Sequence, residues 1–283
     1  MVADHPPDGL LRNVADDERD TYLREGVVRL RQIIPGSWID YLSDAVARLM
    51  TRVHTTSQNY TLPGERRFFS QSFPRFVDPA FDAWALEGPT KHLAAQIHPE
   101  VRTLRFFYDQ VFAQEPGAAL GAPYHQDHPY LPITGDQYLR IWVPLDTVTA
   151  ESGAVRYLKG SHRGAIYRPR SFSGNPNIVA LYAKSPYFEA PDFAHYGDDA
   201  WLVGEAEPGD ALLHHPKTVH GSPPNDTERF RRAVTTMFVG DDVVWDPRPG
   251  TAFDHIGSIG PFEVPRMPAG EPVDGPWFPV VTT

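Results

Sequence analysis

Pro123-Tyr124-His125-Gln126-Asp127-His128, with His220-Gly221-Ser222 some ninety-five residues further on, is the stretch on which the reading of this chain turns. A His-x-Asp triplet alone is weak evidence. With 12 His and 23 Asp in 283 residues, about one such triplet arises by chance, and the chain contains one. Strand geometry adds to it, because residues i and i+2 of a strand share a face. His125 and Asp127 can then reach one metal, with Gln126 on the other face. A third ligand from a distant strand closes one face of an octahedron and leaves three positions free. Two histidines and a carboxylate with open positions mark non-haem iron(II) sites that activate dioxygen, whereas zinc favours tetrahedral sites with at most one open position. Three histidines compete for the third place. His214 and His215 end the apolar run Ala211-Leu212-Leu213 directly before Pro216. His220 lies in Thr218-Val219-His220-Gly221-Ser222, where the glycine lets the backbone pass close to a metal. Spacing does not choose among them.

Composition narrows the chemistry. The chain has no cysteine, so zinc–thiolate sites, iron–sulfur clusters, disulfides and cysteine nucleophiles are excluded, and a metal must be held by His and carboxylate. A formal charge of −10, with no cluster of Lys or Arg, argues against a nucleic-acid surface. Met1 to Leu11 holds Asp and Pro where a signal peptide needs a basic start and an apolar run. No stretch approaches the roughly 18 apolar residues of a membrane helix. The expectation is a cytoplasmic protein with a small-molecule substrate and neither nucleic-acid nor membrane partner; the oligomeric state is not readable.

Along the chain, residues 16–25 predict a polar helix, residues 26–30 a strand, and residues 37–50 an amphipathic helix N-capped by Ser37. Residues 55–76 are aromatic and Arg-rich without a period, and a further helix is predicted over 81–95. Short β segments follow at 104–112, 138–145, 154–158, 210–214 and 232–239, separated by turns such as Glu115-Pro116-Gly117 and Pro208-Gly209-Asp210. Such a series suggests a sandwich or barrel. Residues 168–207 lack a clean period and predict a mobile lid. Beyond Asp241, prolines at eight positions from Pro247 to Pro279 predict extended coil over the surface. No linker or repeat divides the chain. It reads as one domain over 1–283, with a β core over about 104–240, a helical part over 12–100 and a proline-rich tail over 241–283.

Three blocks carry a resemblance. The first is Tyr124-His125-Gln126-Asp127-His128-Pro129-Tyr130. The second is Ile141-Trp142-Val143-Pro144-Leu145-Asp146, running through Glu151-Ser152-Gly153-Ala154 to Lys159-Gly160-Ser161-His162. The third is Gly209-Asp210-Ala211, His220-Gly221-Ser222 and Arg231-Arg232-Ala233. In this order, over roughly residues 20–240, they resemble the phytanoyl-CoA dioxygenase family of Fe(II)/2-oxoglutarate-dependent oxygenases. The resemblance implies a mainly β fold with flanking helices, a double-stranded β-helix (a cupin-like jelly roll). It implies His125, Asp127 and His220 as iron ligands and catalytic centre, so it selects His220 over its rivals. It also implies that an arginine eleven residues after the second histidine ligand grips the distal carboxylate of 2-oxoglutarate. That residue is Arg231, with Arg232 as the alternative if the register slips and Arg229 nearby. A planar guanidinium suits the task, because it meets a carboxylate with two parallel hydrogen bonds. Trp142 corresponds, across a one-residue gap, to a co-substrate-site tryptophan. Tyr124 stands where the family usually has tryptophan, which alters substrate packing rather than metal binding. The presence of Asp127 argues against halogenation, since related halogenases carry a small residue there.

The implied cofactors are Fe(II), 2-oxoglutarate and O2. The implied reaction is hydroxylation of an unactivated C–H bond of a small metabolite, with oxidative decarboxylation of 2-oxoglutarate to succinate and CO2. Desaturation, epoxidation or ring formation on the same iron is an alternative, and a non-catalytic jelly roll that binds metal or ligand is one of another class. No basic cluster suits the phosphates of coenzyme A, which favours a small free metabolite.

Overall fold

The computed structural model describes residues 5–251, 253, 258–259 and 262–282. Residues 1–4 of the N-terminal stretch, and residues 252, 254–257, 260–261 and 283 of the proline-rich tail, lie outside the described residues. Helix α1 (Asp16–Glu25) runs into β1 (Val27–Leu30) through Gly26. Helix α2 (Gly36–Leu49) buries Trp38, Ile39, Leu42, Ala45, Val46 and Leu49, the stripe its period predicts. Ser37 is not its N-cap. Pro35 holds that place, and the Ser37 hydroxyl donates to Asp8 at 2.6 Å. The stretch without a period forms β2 (Ser57–Asn59) and β3 (Phe68–Ser72). The single helix expected over 81–95 is two, α3 (Pro79–Leu86) and α4 (Thr90–Ile97). Gly88-Pro89 breaks it: a Cβ at Gly88 would sit 2.4 Å from the Trp84 carbonyl, and Pro89 has no N–H to continue the ladder.

The β core comprises β4 (Arg105–Gln114), β5 (Ala122–His125), β6 (Ile133–Thr134), β7 (Tyr138–Pro144) and β8 (Arg156–Leu158). After α5 (Pro176–Tyr182) come β9 (Trp201–Val203), β10 (Ala211–His214), β11 (His220–Ser222), β12 (Arg231–Val239) and β13 (Val244–Trp245). A large sheet has the order β1-β10-β7-β12-β4-β3-β2 and a small one the order β5-β11-β8-β9. From β4 onward the eight principal strands fall in the large, small, large, small, small, large, small and large sheet. That winding is the double-stranded β-helix, or jelly roll.

Strand β7 is buried along its whole length. Leu139, Ile141 and Val143 join the cluster that holds Trp38, Leu42, Trp84 and Leu93 of α2–α4, so one face of the large sheet is covered by helices. Tyr138, Arg140 and Trp142 point to the opposite face, toward the small sheet. Strand β12 repeats the pattern, with Val234 and Phe238 under the helices and Arg231, Ala233 and Thr235 on the site face. The tail is not a surface wrap. Trp245, Val273, Trp277 and Phe278 pack on Phe73 and Phe107, and Val281 reaches the helix-covered cluster. The expected lid over 168–207 also loses its last part, because β9 is a core strand paired with β8.

Asp109 of β4 is fully buried. One carboxylate oxygen accepts the Arg75 backbone N–H at 3.0 Å and the other has no partner. Burial, only partly opposed by Arg75, pushes its carboxyl up to about 8. Unfolding therefore releases a proton between the ordinary carboxylate range and pH 8. This contribution to stability is fully present below about pH 4 and declines as pH rises through 8, by at most about 1.4 kcal/mol per pH unit. Melting curves should fall more steeply between pH 5 and 8 for the wild type than for Asp109→Asn; parallel curves would contradict the assignment.

Candidate metal centre

Antiparallel pairing of β5 with β11 makes His125 and His220 direct cross-strand partners, their ring centroids 4.3 Å apart. Asp127 lies just beyond β5 and is not part of it. Its helical φ of −73° and ψ of −38° begin the short turn His128–Tyr130. A turn at the strand end, rather than strand alternation, swings its carboxylate back to the histidines. His125 Nε2 and His220 Nε2 each lie 3.8 Å from Asp127 Oδ1, and one candidate ligand atom from each residue falls within 4.8 Å of the others. Gln126 does point away: its side chain holds the backbone at Ala165, Tyr167 and Lys217.

Both rings are set for ligation. His125 Nδ1 donates to the Pro123 carbonyl at 2.7 Å and His220 Nδ1 to the Thr218 carbonyl at 2.9 Å. A carbonyl only accepts, so the proton is on Nδ1 and the Nε2 lone pair faces the common point. Burial, then the charge of His220, pushes His125 down to about 3. Burial, partly opposed by Asp127, pushes His220 down to about 4. Both rings are therefore neutral at pH 7. Burial works to raise the Asp127 carboxyl, but the Arg140 guanidinium and then His220 and His214 hold it well below the ordinary range. Two neutral imidazoles and one carboxylate converge with free lone pairs. This donor set fits a divalent metal.

The three histidine candidates separate on the same logic. His214 Nε2 donates to Asp127 Oδ2 at 3.0 Å, so its nearest nitrogen carries a proton and offers no lone pair. His215 faces elsewhere, its ring 5.0 Å from Tyr138 and 5.5 Å from His162, its Nδ1 accepting from the Lys217 N–H. Gly221 does not serve an approach to metal. A Cβ there would lie 2.8 Å from the Tyr124 ring and 2.9 Å from the Ala122 carbonyl, so it permits close packing of β11 on β5.

Arg231, Trp142, Tyr157 and Thr235 line a small cavity of about 50 Å³ with the triad. The Arg231 guanidinium lies 5.2 Å above the Trp142 ring, and the residue is 2 % exposed. Its Nε has no hydrogen-bond partner, and burial pushes the guanidinium down to about 10. Among the described residues no carboxylate offsets it. Such a group awaits an anion. Arg232 is already taken: its Nε and Nη2 grip Asp146 at 2.9 and 2.6 Å on the other face of β12. Arg229 is exposed and precedes the strand. The Tyr157 ring stacks on His220 at 5.6 Å, and its hydroxyl is likewise buried without a partner.

Arg140 was not singled out by sequence, and His214 was weighed there only as a rival for the third ligand place. Arg140 Nη1 donates to Asp127 Oδ1 at 3.0 Å, while its Nη2 holds Gln110 and Thr235 at 2.6 and 2.9 Å. Asp127 is thus fixed at both oxygens. The signal for Arg140 was present, since it stands two residues before Trp142 and so on the same strand face. Arg140→Met should weaken Fe(II) binding about 10–100-fold, the usual effect of losing a group that orients a ligand. An unchanged Fe(II) titration would reduce Arg140 to a packing role.

A larger cavity of about 380 Å³ opens beside His125 and Asp127, walled by Tyr60, Tyr108, Phe112, Tyr130, Phe172 and Tyr182 among others. Phe172, from the segment expected as a lid, lies 4.8 Å from the His125 ring. Tyr124 does not line this space; it packs on Trp201 at 4.7 Å. In the aromatic and Arg-rich stretch, Arg67 pairs with Glu115 at 2.7 Å, Phe68 and Phe69 are buried, and Phe68 lines the small cavity.

The family model described as phytanoyl-CoA dioxygenase matches residues 22–233. A probable alpha-ketoglutarate-dependent hypophosphite dioxygenase of Stutzerimonas stutzeri is 33% identical over 124 residues, 43% of this chain and 41% of that protein. The peroxisomal phytanoyl-CoA dioxygenase of Homo sapiens is 28% identical over 138 residues, 47% of this chain and 38% of that protein. The match thus spans about two fifths of the length of these relatives. Among solved structures, the epimerase SnoN in complex with Fe3+, alpha ketoglutarate and nogalamycin RO superposes with a TM-score of 0.73 at 19% identity, over 94% of this chain and 97% of that one. That likeness bears on the fold. No helix among the described residues is long and apolar enough to cross a membrane.

Proposed function

The chain belongs to the phytanoyl-CoA dioxygenase family, and on that premise we propose that it is a non-haem Fe(II)/2-oxoglutarate-dependent oxygenase that hydroxylates a C–H bond of a small molecule. One observation carries the reading: a triad with both imidazole Nε2 lone pairs free shares a cavity with a buried, unpaired guanidinium. A metal-binding module without turnover has no use for that cation.

His125, Asp127 and His220 would hold iron, and Arg231 over Trp142 would hold the distal carboxylate of 2-oxoglutarate. Bound iron with 2-oxoglutarate and O2 supplies an oxidant strong enough for unactivated C–H bonds. The chain's own part is placement. Arg140 and His214 fix the carboxylate ligand, and the Pro123 and Thr218 carbonyls fix the imidazole ligands. Arg231 and Tyr157 present buried donors to an anion. Aromatic walls keep water away from the open side.

Anaerobic titration of the Fe(II)-loaded protein with 2-oxoglutarate should produce a visible metal-to-ligand charge-transfer band. Admission of O2 should then release succinate. A protein that binds Fe(II) but yields neither would exclude the reading in favour of a non-catalytic site.

A further inference from the structure

We propose that the molecule oxidised in the larger cavity is a ring-bearing organic carboxylate, and that Arg170 selects its anionic group. The inference rests on the oxygenase reading for the fate of that molecule, but not for its binding.

Among the described residues, three with charged side chains line the cavity: Asp127, Arg140 and Arg170. Asp127 faces the histidine pair and belongs to the metal site. Arg140 is committed, with donors on Asp127, Gln110 and Thr235. Arg170 is different. Its guanidinium makes one hydrogen bond, to the neutral Ala190 carbonyl at 3.1 Å, and no carboxylate pairs with it among the described residues. In a chain of net charge −10, a cavity whose described lining shows a spare guanidinium and no spare carboxylate is complementary to an anion.

The Arg170 backbone is also fixed in place. The Tyr130 hydroxyl donates to the Arg170 carbonyl and accepts from the Arg170 N–H, both at 2.8 Å. The Tyr130 ring in turn lies 5.7 Å from that of His125. The anion-binding residue and the metal site are therefore set by one tyrosine. Rings outnumber the aliphatic chains of Leu131 and Ile178 in the lining: Phe172 contacts both Tyr60 at 5.2 Å and His125 at 4.8 Å, and Tyr182 packs on Tyr130 at 5.3 Å. A cavity of about 380 Å³ lies near the lower end of the roughly 300–1,000 Å³ of ligand sites, which suits a free acid of two or three rings. The thioester of the same acid lacks the carboxylate that Arg170 would take.

The test compares acids with their neutral amides. Indole-3-acetate and 1-naphthaleneacetate, each beside its primary amide, are titrated by calorimetry into metal-free protein and by perturbation of the charge-transfer band into protein loaded with Fe(II) and 2-oxoglutarate. Each acid should bind at least tenfold more tightly than its amide. Arg170→Gln should erase that difference while leaving the 2-oxoglutarate titration unchanged, and Arg170→Lys should restore part of it. Equal affinity for acid and amide, binding of neither acid, acid preference surviving in Arg170→Gln, or tighter binding of octanoyl-CoA or L-proline than of the acids would each overturn the proposal. Failure of the charge-transfer band to form, with the calorimetric preference intact, would instead count against the oxygenase reading alone.

Discussion

Asp127→Ala should lower Fe(II) affinity by more than about 100-fold, beyond the range for a supporting residue, and leave substrate-coupled succinate formation undetectable. The triad loses its only anionic ligand, and the two remaining imidazoles cannot hold Fe(II) facially. The substitution also strands Arg140 and His214, which donate to the two Asp127 oxygens at 3.0 Å each. Leaving a buried cation unpaired costs about 3–5 kcal/mol, so lost activity in the alanine variant could be misread as lost fold. Asp127→Asn separates the two effects. Its carbonyl oxygen can still accept from Arg140. His214, whose Nδ1 is buried without a partner, can shift its proton there and accept from the new amide. The asparagine variant should keep nearly the wild-type melting temperature and still lose Fe(II) binding. Wild-type turnover in a folded Asp127→Asn protein would remove Asp127 from the metal site.

Arg231→Met is the second large effect. Truncating one partner of a buried charge pair costs about 2–5 kcal/mol, so half-saturation by 2-oxoglutarate should rise by about two orders of magnitude. Turnover at saturating co-substrate should fall much less, because the guanidinium meets the end of 2-oxoglutarate remote from the metal. Arg231→Lys should recover only part of the loss, since a point charge cannot reproduce the planar fork. The ligand-free protein should respond in the opposite direction. Burial already lowers the Arg231 guanidinium with no carboxylate among the described residues to offset it, so replacing it by an apolar chain should raise the melting temperature of ligand-free protein. The further rise on adding 2-oxoglutarate, present in the wild type by linkage, should vanish. Arg232→Ala, which breaks the pair with Asp146 on the opposite face, should leave co-substrate affinity unchanged. The reverse pattern would exchange the two roles.

How far the site was legible depended on whether a residue acts through its own type or through a partner. His125, Asp127 and Arg231 are legible as candidates because the proposed metal and carboxylate chemistry restricts the residue types, and the resemblance fixes their positions. The resemblance put Arg231 before Arg232 by spacing; without it the choice needed the parity of β12, which a one-residue error in register would invert. Without the resemblance, choosing His220 over His214 needed a hydrogen bond spanning 87 positions, from His214 to Asp127, and no local pattern encodes that. Secondary structure failed for similar reasons. Residues 201–203 look irregular beside their Asp- and Pro-rich neighbours, yet they form a core strand because β8 offers an open edge. The proline-rich tail has no period, but its Trp245, Trp277 and Phe278 fill a cluster that β4 and residue 73 leave uncovered. Tertiary burial overrode local pattern in both cases.

The ties that hold the three converging side chains differ in reach, and that sets the order in which the centre can assemble. Each imidazole is oriented by a carbonyl two residues before it, so His125 and His220 are in place once β5 and β11 pair. The carboxylate is oriented by Arg140 of β7 and His214 of β10, both in the opposite sheet. A chain with the small sheet formed but not yet docked would present two histidines and a loose aspartate, a weak and unselective chelate. Tight binding begins only when the sheets close on each other. Metal affinity followed through a denaturant titration would therefore measure docking of the two sheets, and bound metal would act as a rivet between them.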